Sequence, residues 1–568
     1  MKRIFLVISI MASIVGLPVG AGAEGVEALR GMCAPGSTLV LEGPLTVSGV
    51  VVSDCRSKNM ELNPNITYAK VDLSLSDRTA YIQSPDGSAG VRLVFDDASA
   101  NTLHFADKVT LDLAGCLLEH EVNPDRVTVR HLGSTSVLER SPGGDVPAKE
   151  KSVRELTDSD IYTFVTLTGM EMVFKDGCYT DIYEPYGQYV ESIHHDYYDV
   201  SGRMDGWASL LRNQQGQTIY MLVNTSCPWR RTGKPLVRGS GPVSGIIVHT
   251  PMRRYGGNMG RYSIRPLDES GLGFSKKGKS VWKTLSGWCL DGSNGQVLEF
   301  EMLGEQTGVW KDGRKGDRLV SDRGRAKAFF WTDSDSFIHI DSDVNALDGQ
   351  GKGYAINGAI FFKGPSWKWF DFAPDGSAEG KSFFVEVDAT KAQGEEMTLN
   401  FAWYAGTQDG NDDWGYPAQW KVMYRIDGGA WKLIRETATG AESIFLRSLP
   451  WWDKQIWLGN GTTPYLKTSY DCGLGSQQRS YSVPAEAFGH KVTFRITPAS
   501  KLRSLIRSNP AEAFGHKVTF RITPASNLRS LIRSNPADDC ILETNRIKNR
   551  DDGLRTLVRF GDIFIDYR

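Results

Sequence analysis

Two groups of acidic and amide side chains have the spacing of oxygen ligands on a metal-binding loop. They are Asp409, Asn411 and Asp413, and Asp341, Asp343 and Asn345. Alternate oxygen ligands on one loop suit Ca²⁺, but an EF-hand also needs Gly at its sixth position and Glu at its twelfth. Trp414 and Ala346 occupy the sixth positions, and neither group has the Glu. We therefore favour solvated turns; if the Asp409 group binds Ca²⁺, its role is structural, and we expect no other cofactor.

The histidines offer one further cluster, His194-His195-Asp196. Two imidazoles and a carboxylate are zinc ligands. Adjacent side chains on a strand point to opposite faces, however, so a polar loop is the favoured interpretation. The sequence contains no G-x-S-x-G, H-E-x-x-H or phosphate-binding glycine motif. Carboxylates such as Glu299 and Glu301 would form a glycosidase pair only if the fold set their separation, so we assign no catalytic residue.

Aromatic side chains give a stronger indication of binding. Trp414 and Tyr416 lie in the acidic, glycine-rich segment TQDGNDDWGYP, and Trp451, Trp452 and Trp457 lie in SLPWWDKQIWLGNG. A flat indole at the surface stacks on a sugar or packs against another protein. These five residues are the candidate ligand-binding set. By contrast, Trp403, Trp420 and Trp431 lie in strand-like runs and are expected in the core.

A cluster of basic residues is the second candidate site. Residues 226–266 contain no Asp or Glu and eight cations: Arg230, Arg231, Lys234, Arg238, Arg253, Arg254, Arg261 and Arg265. The basic patch comprises Arg230, Arg231, Lys234, Arg253 and Arg254. It could follow a nucleic-acid backbone, with Trp229 or Tyr255 stacking on a base. Docking against the acidic back half is the favoured alternative.

The N-terminus has the order of a secretory signal. Lys2 and Arg3 precede an apolar run that ends near Val19, and Ala21-Gly22-Ala23 supplies small residues for cleavage. We predict a signal peptide over residues 1–23 and a product exported to the periplasm, cell surface or extracellular space. No cysteine is placed for lipid attachment, and no transmembrane segment is expected after cleavage. Removing Lys2 and Arg3 changes the net charge from −2 to −4, which excludes a strong global field.

Length and composition indicate several β domains. The chain has 568 residues, 60 of them glycine, and its eight cysteines form no C-x-x-C pair. A chain of this length exceeds one hydrophobic core. None of the 15 tryptophans precedes Trp207, and 13 lie between Trp282 and Trp457. Composition changes near residues 271–279, so the aromatic-poor front half is expected to end there.

The front half contains two similar runs of five short strands. The first unit has strands near 47–54, 79–84, 90–96, 108–121 and 127–132, and the second near 162–174, 208–213, 217–224, 242–249 and 260–266. The order suits a small Greek-key barrel. YIQSPDGSAGVRLVF (81–95) and RYSIRPLDES (261–270) carry a resemblance to the OB-like domains of exported Bacteroidota proteins, a family without an established function. We expect OB-like domains over 24–145 and 146–275.

The back half, 276–568, is expected to form one β-sandwich. Asp427-Gly428-Gly429 within MYRIDGGAWKLI predicts a hairpin. The strand-like runs and the closing VRFGDIFIDY resemble the jelly-roll sandwiches of galactose-binding-like and adhesin-type modules. That resemblance implies binding more often than catalysis.

A tandem duplication lies near the end of the chain. Residues 485–510 recur as 511–536 with one difference, Lys501 against Asn527. Each copy alternates apolar residues with Thr and Arg, the pattern of one half-buried strand. We expect one copy to fill a single strand position in the sandwich.

The sequence as a whole favours an exported, non-catalytic binding protein of the cell envelope. Two OB-like barrels would act as spacers or docking modules, and the sandwich would present aromatic loops to a glycan or protein. The alternatives are nucleic-acid binding through the second barrel and a hydrolase with an unrecognised active site. The sequence leaves the oligomeric state open.

Overall fold

The structure is a computed structural model. It describes residues 23–61, 74–147, 149–175, 179, 208–224, 227, 229, 236–250, 259–288, 300–301, 318–320, 326–330, 337–341, 359–364, 383–406, 419–445, 448–449, 477–498 and 556–568. The described part is mainly β, as predicted, with barrels followed by sandwich-like sheets. Within it, no helix is long and apolar enough to cross a membrane.

The first unit forms a sheet with an OB-like strand order. Its elements are β1 (Glu24–Gly25), α1 (Ala28–Met32), β2 (Thr38–Val40), β3 (Thr46–Val51), α2 (Ser74–Arg78), β4 (Thr79–Gln83), β5 (Gly90–Phe95), β6 (Lys108–Asp112), β7 (Leu117–Glu121), β8 (Arg126–Leu132) and β9 (Val137–Ser141). β3, β4 and β5 are antiparallel neighbours, and β5 pairs in parallel with β8. We call this unit the first barrel.

One predicted strand of the first barrel is wrong. The run from Lys108 to Glu121 is two strands, because Gly115 turns the chain with a φ of +78° and donates its N–H to the Leu41 carbonyl at 2.8 Å. A positive φ suits glycine and interrupts a strand. As a result, β6 pairs with β3 while β7 pairs with β8.

The second unit is a closed barrel of five strands, with one further strand, β10, at its edge. Its strands are β10 (Glu150–Lys151), β11 (Phe164–Met172), β12 (Ser209–Arg212), β13 (Thr218–Met221), β14 (Gly241–Val248) and β15 (Ser263–Arg265). The order is β11-β12-β13-β15-β14, and β14 returns to β11. β13 and β15 are parallel, which matches the first barrel's pairing of β5 with β8. All five predicted strands of this second barrel are present.

The remaining strands form two sheets. They are β16 (Lys283–Trp288), β17 (Phe300–Glu301), β18 (Arg318–Val320), β19 (Ala326–Phe330), β20 (Phe337–Asp341), β21 (Ala359–Gly364), β22 (Phe383–Asp388), β23 (Glu396–Gly406), β24 (Gln419–Ile426), β25 (Lys432–Ile434), β26 (Ile444–Phe445), β27 (Ser448–Leu449), β28 (Gln477–Pro484), β29 (Lys491–Pro498) and β30 (Thr556–Tyr567). One sheet runs β20-β21-β30-β23-β27, and the other runs β17-β18-β19-β22-β29-β24-β25. Their facing side chains form one buried core, including Phe401, Val422 and Ile565. We call this pair of sheets the sandwich.

The Asp-Gly-Gly hairpin of the sandwich is confirmed. β24 and β25 are antiparallel neighbours, and Tyr424 pairs with Lys432. Asp427 and Gly428 between them have φ values of +47° and +75°. Asp and Gly tolerate this left-handed region better than other residues do, which explains the local sequence.

The first copy of the duplication supplies β29, which lies between β22 and β24. Val492, Phe494 and Ile496 are fully buried in the sandwich core. The prediction of a half-buried strand is wrong, because the opposite face is buried as well: Thr493 and Arg495 are only 4% and 6% exposed. Arg495 instead lies 5.7 Å from the Trp431 ring. Residues 511–536 lie outside the described residues.

Two of the three tryptophans expected in the core have described side chains. Trp420 is 2% exposed within the sandwich core, which confirms that prediction. Trp431 is only half-buried, and its ring lies 4.5 Å from the Arg425 guanidinium. The prediction for Trp431 is therefore wrong, because its ring lies close to two arginines and is not part of the buried core. The side chain of Trp403 lies outside the described residues.

Candidate functional site

In an OB-fold, the outer face of the second and third strands is the usual ligand surface. In the first barrel this face is formed by β4 and β5, whose inward residues, such as Ile82 and Leu93, lie in the barrel core. The outward residues alternate with them and include Tyr81, Gln83 and Arg92. Polar and aromatic outward residues would suit a ligand surface. The contacts of these side chains show whether the face is open to a ligand.

The second barrel covers this face of the first. Gln83 accepts a hydrogen bond from the Phe164 N–H at 2.9 Å, and the rings of Tyr81 and Tyr162 stack at 5.3 Å. Gly90 allows the closest approach, because a Cβ there would lie 2.4 Å from the Tyr162 carbonyl. The face is therefore an intramolecular interface.

A buried polar cluster completes the same interface. Tyr81 donates its hydroxyl to Glu61 at 3.1 Å, and Arg92 lies 3.5 Å from the same carboxylate. Complete burial, and then the negative charge of Glu61, raise the pKa of Tyr81 well above its usual value. The hydroxyl stays protonated and serves as a donor.

The corresponding face of the second barrel is covered by the sandwich. On β12 and β13, Arg212 and Tyr220 are fully buried. Tyr220 donates its hydroxyl to the Gln478 carbonyl at 2.7 Å, and the Leu210 N–H donates to the Gln478 side chain at 2.7 Å. Both barrels therefore use the same face to hold the next module, which leaves that face closed to an external ligand.

The strand ends that carry the two aromatic segments meet at one place in the sandwich. β23 ends at Gly406, before residues 407–418, and β27 ends at Leu449, before residues 450–476. Gly406 pairs with Leu449, and Trp403 pairs with Gln477, where β28 begins. The two segments thus leave the same sheet at hydrogen-bonded neighbours. Trp414, Tyr416, Trp451, Trp452 and Trp457 themselves lie outside the described residues.

Other sequence-predicted sites also lie outside the described residues. They are the basic patch (Arg230, Arg231, Lys234, Arg253, Arg254), the acidic group Asp409, Asn411 and Asp413, the cluster His194, His195 and Asp196, and residues 1–22 of the predicted signal. Of the second acidic group, only the backbone of Asp341 is described, at the end of β20.

Two cations near the basic patch have internal partners. Arg261 donates to Asp158 at 2.7 Å and to Asn123 at 3.0 Å, so it joins the second barrel to the first. Arg265 is 3% exposed and donates to Asn224 at 2.8 Å. Trp229, a suggested stacking platform, is half-buried against Tyr179, with ring centroids 5.8 Å apart. These three side chains serve the interior and the junction between the barrels.

A mixed cluster that the sequence analysis missed lies at the edge of the first barrel. Asp54 and Cys55 follow β3, and His104 lies in the loop before β6. His104 Nδ1 lies 3.6 Å from the Cys55 sulfur and 3.4 Å from Asp54 Oδ1. The adjacent Asp-Cys pair is visible in the sequence, but nothing there brings a histidine 49 residues away to it.

The charges of this cluster do not suit a cysteine nucleophile. Burial raises the pKa of the Cys55 thiol, and the neighbouring Asp54 charge raises it further. For Asp54, partial burial acts upward on the pKa, but hydrogen bonds and charge from Arg56 outweigh it and hold the pKa at about 2. In a catalytic triad, the thiol and the carboxylate contact different ring nitrogens of the histidine. Here both contact Nδ1, so the cluster lacks the relay of a hydrolase.

Comparisons with known proteins give little further guidance. No protein-family model matches the chain, and no curated protein matches it. Among solved structures, one described as a structural analysis of an exo-beta-agarase is similar to 36% of this chain at 12% identity, with a TM-score of 0.13. The similarity spans 25% of that chain, and at this TM-score it bears on neither the fold nor the function.

Proposed function

We propose that this chain is an exported, non-catalytic binding protein of the cell envelope that holds a glycan at one end of its sandwich. The observation that carries the proposal is the pairing of Gly406 with Leu449 and of Trp403 with Gln477. These pairs put the strand ends that precede residues 407–418 and 450–476 next to each other, and the two segments together contain Trp414, Tyr416, Trp451, Trp452 and Trp457. Aromatic rings supply the flat apolar surfaces on which sugar rings stack.

The barrels support this proposal as spacers. The second- and third-strand face of each barrel is occupied by the following module, through Tyr162 in one case and Gln478 in the other. A chain of modules docked in this way would hold the sandwich end at a fixed distance from the N-terminus. The aromatic end of the sandwich is then the better candidate for a ligand.

Nucleic-acid binding through the second barrel is the less favoured alternative. Arg261 and Arg265 already contact Asp158 and Asn224, which removes two of the eight cations that suggested it. Nucleic-acid binding by the basic patch can be distinguished from glycan binding by its salt dependence. Binding to phosphates weakens steeply with salt, whereas stacking on sugars does not.

A glycan array tests the proposal. We expect the purified full chain to bind a defined group of glycans, and Trp414→Ala with Trp451→Ala to abolish that binding. Trp431→Ala is the matched control, because Trp431 belongs to neither segment and its ring lies beside Arg425 and Arg495. The proposal fails if no glycan binds, or if single-stranded DNA binds and binding is lost on charge reversal of Arg230, Arg231, Arg253 and Arg254. Turnover of a bound polysaccharide would refute the non-catalytic assignment.

A further inference from the structure

We propose that Asp54, Cys55 and His104 form a zinc site at the edge of the first barrel. Their ligand atoms, a carboxylate oxygen, a thiol sulfur and an imidazole nitrogen, all lie within 4.8 Å of one another. Zinc binds all three types of atom. None of the three residues belongs to the aromatic segments of the sandwich or to the acidic groups considered for calcium.

Two of the three ligand separations match those around a tetrahedral ion. Zinc bonds of about 2.3 Å to sulfur and about 2.0–2.1 Å to nitrogen and oxygen place tetrahedral S···N ligands about 3.5 Å apart and N···O ligands about 3.3–3.4 Å apart. The corresponding separations are 3.6 Å for Cys55 Sγ to His104 Nδ1 and 3.4 Å for His104 Nδ1 to Asp54 Oδ1. Three protein ligands leave the fourth position of the ion for water.

The shared nitrogen gives an independent chemical argument. His104 Nδ1 faces both the Cys55 sulfur and the Asp54 oxygen. As a neutral acceptor this nitrogen would accept a hydrogen bond from the thiol but face a lone pair of the carboxylate, and as a donor it would have one hydrogen for two partners. At 3.4 Å, the contact with the carboxylate is also long for a charge-assisted hydrogen bond. A single cation between the three atoms satisfies all of them.

The backbone holds the two loops together before any ion binds. The Cys55 N–H donates to the Leu103 carbonyl at 3.1 Å, and the His104 N–H donates to the Asp107 carboxylate at 2.9 Å. Val51 and Asp107 are joined by a further backbone bond of 2.8 Å. The ligands therefore come from segments fixed next to each other, which lowers the ordering cost of binding.

Arg56 is the competitor for the carboxylate. Its side chain donates to both oxygens of Asp54, at 2.9 and 2.8 Å, and is 73% exposed. An exposed guanidinium can swing into solvent when a cation takes its place. We therefore expect Arg56→Ala to strengthen metal binding, an effect opposite to that of losing a ligand.

Cobalt(II), a spectroscopic substitute for zinc, tests the site on the purified full chain after treatment with chelator. We expect one equivalent of Co²⁺ to produce a thiolate-to-metal charge-transfer band that Zn²⁺ displaces. Cys55→Ser should abolish the band. His104→Gln and Asp54→Asn should each weaken binding by more than about 10-fold, since even loss of an outer-shell partner costs about 10–100-fold. Arg56→Ala should tighten it.

Two controls make the result specific. His131→Gln alters a histidine whose ring pairs with Asp96 at 2.9 Å, and Cys116→Ser alters another free cysteine, whose thiol donates to the His131 carbonyl at 3.6 Å rather than to a histidine ring. Both should leave the band and the affinity unchanged. A wild-type chain with no band, or a band that persists in Cys55→Ser, would overturn the proposal. If ligand variants unfold, the Arg56→Ala result still decides it, because unchanged or weaker binding in that variant contradicts the site.

Discussion

A buried arginine, Arg212, links the second barrel to the sandwich. Arg212 on β12 is 1% exposed, donates to Glu171 at 2.7 Å and lies 2.6 Å from Asp566 on β30. The Trp282 ring covers its guanidinium at 4.3 Å. We predict that Arg212→Met loosens this junction, because it leaves two buried carboxylates without their shared cation while keeping a side chain of similar length.

The free-energy cost of Arg212→Met depends on which contacts Glu171 and Asp566 keep. Removing one partner of a buried ion pair costs about 3–5 kcal/mol. Lys175 still lies 4.0 Å from Glu171, and Thr284 still donates to Asp566 at 2.8 Å, so the lower end of this range applies. A loss of about 3 kcal/mol corresponds to a roughly 100-fold increase in local opening.

Native-state hydrogen exchange measures that opening in the relevant strands. Peptides covering β12, β13 and the end of β30 should exchange roughly 100-fold faster in Arg212→Met than in the wild type. Arg130→Met is the matched control, because its pair with Glu119 at 2.7 Å is 34% and 22% exposed and should contribute about 1 kcal/mol or less. Equal exchange in the two variants would refute the account. Adding Glu171→Gln and Asp566→Asn to Arg212→Met should restore much of the protection.

Three further predictions follow from other contacts. Gly90→Ala should lower the stability of the junction between the barrels by about 1–3 kcal/mol in urea unfolding, because the added Cβ would lie 2.4 Å from the Tyr162 carbonyl. Gly133→Ala is the control: a Cβ there would have nothing within 4 Å, so this substitution should cost much less. Partial burial raises the pKa of Asp158, but hydrogen bonds from the Arg261 side chain and the Asp125 N–H outweigh burial and hold the pKa at about 2. This folded-state pKa lies below the usual value of 3.8. The contribution of Asp158 to stability is therefore present above about pH 4 and is lost as the pH falls through 2. Asp158→Asn should therefore remove part of the acid dependence of melting, and an unchanged pH profile would contradict this. Deleting residues 511–536 should leave the calorimetric transition unchanged, because the first copy already supplies β29; a large loss would show that the second copy stabilises the fold.

The strands of the barrels were predictable because local patterns determine them. Runs of apolar and β-branched residues separated by glycine turns predict β4, β5 and β11–β15 to within a few residues. The break at Gly115 was missed, since a single glycine inside an apolar run also fits a continuous strand. The packing of Trp431 was missed for a different reason: its neighbour Arg495 comes from a strand 64 residues away.

The sites were less predictable because they depend on which faces meet. Tyr81 and Arg92 alternate with the core residues of β4 and β5, but alternation in the sequence could not indicate that Tyr162 covers them. The Asp54–Cys55–His104 cluster depends on a contact between two loops whose residues lie 49 or more positions apart in the sequence. Sequence spacing therefore identified side chains with suitable chemistry, whereas tertiary contacts decided which of them come together.

Hydrogen exchange of the full chain, with and without a glycan selected by the array, tests the central claim most directly. We predict protection in residues 407–418 and 450–476, which leave the sandwich at the paired residues Gly406 and Leu449. The covered strands β4, β5, β12 and β13 should not change. Protection confined to those barrel strands, or to residues 228–258 around the basic patch, would contradict the claim that the sandwich end binds the ligand.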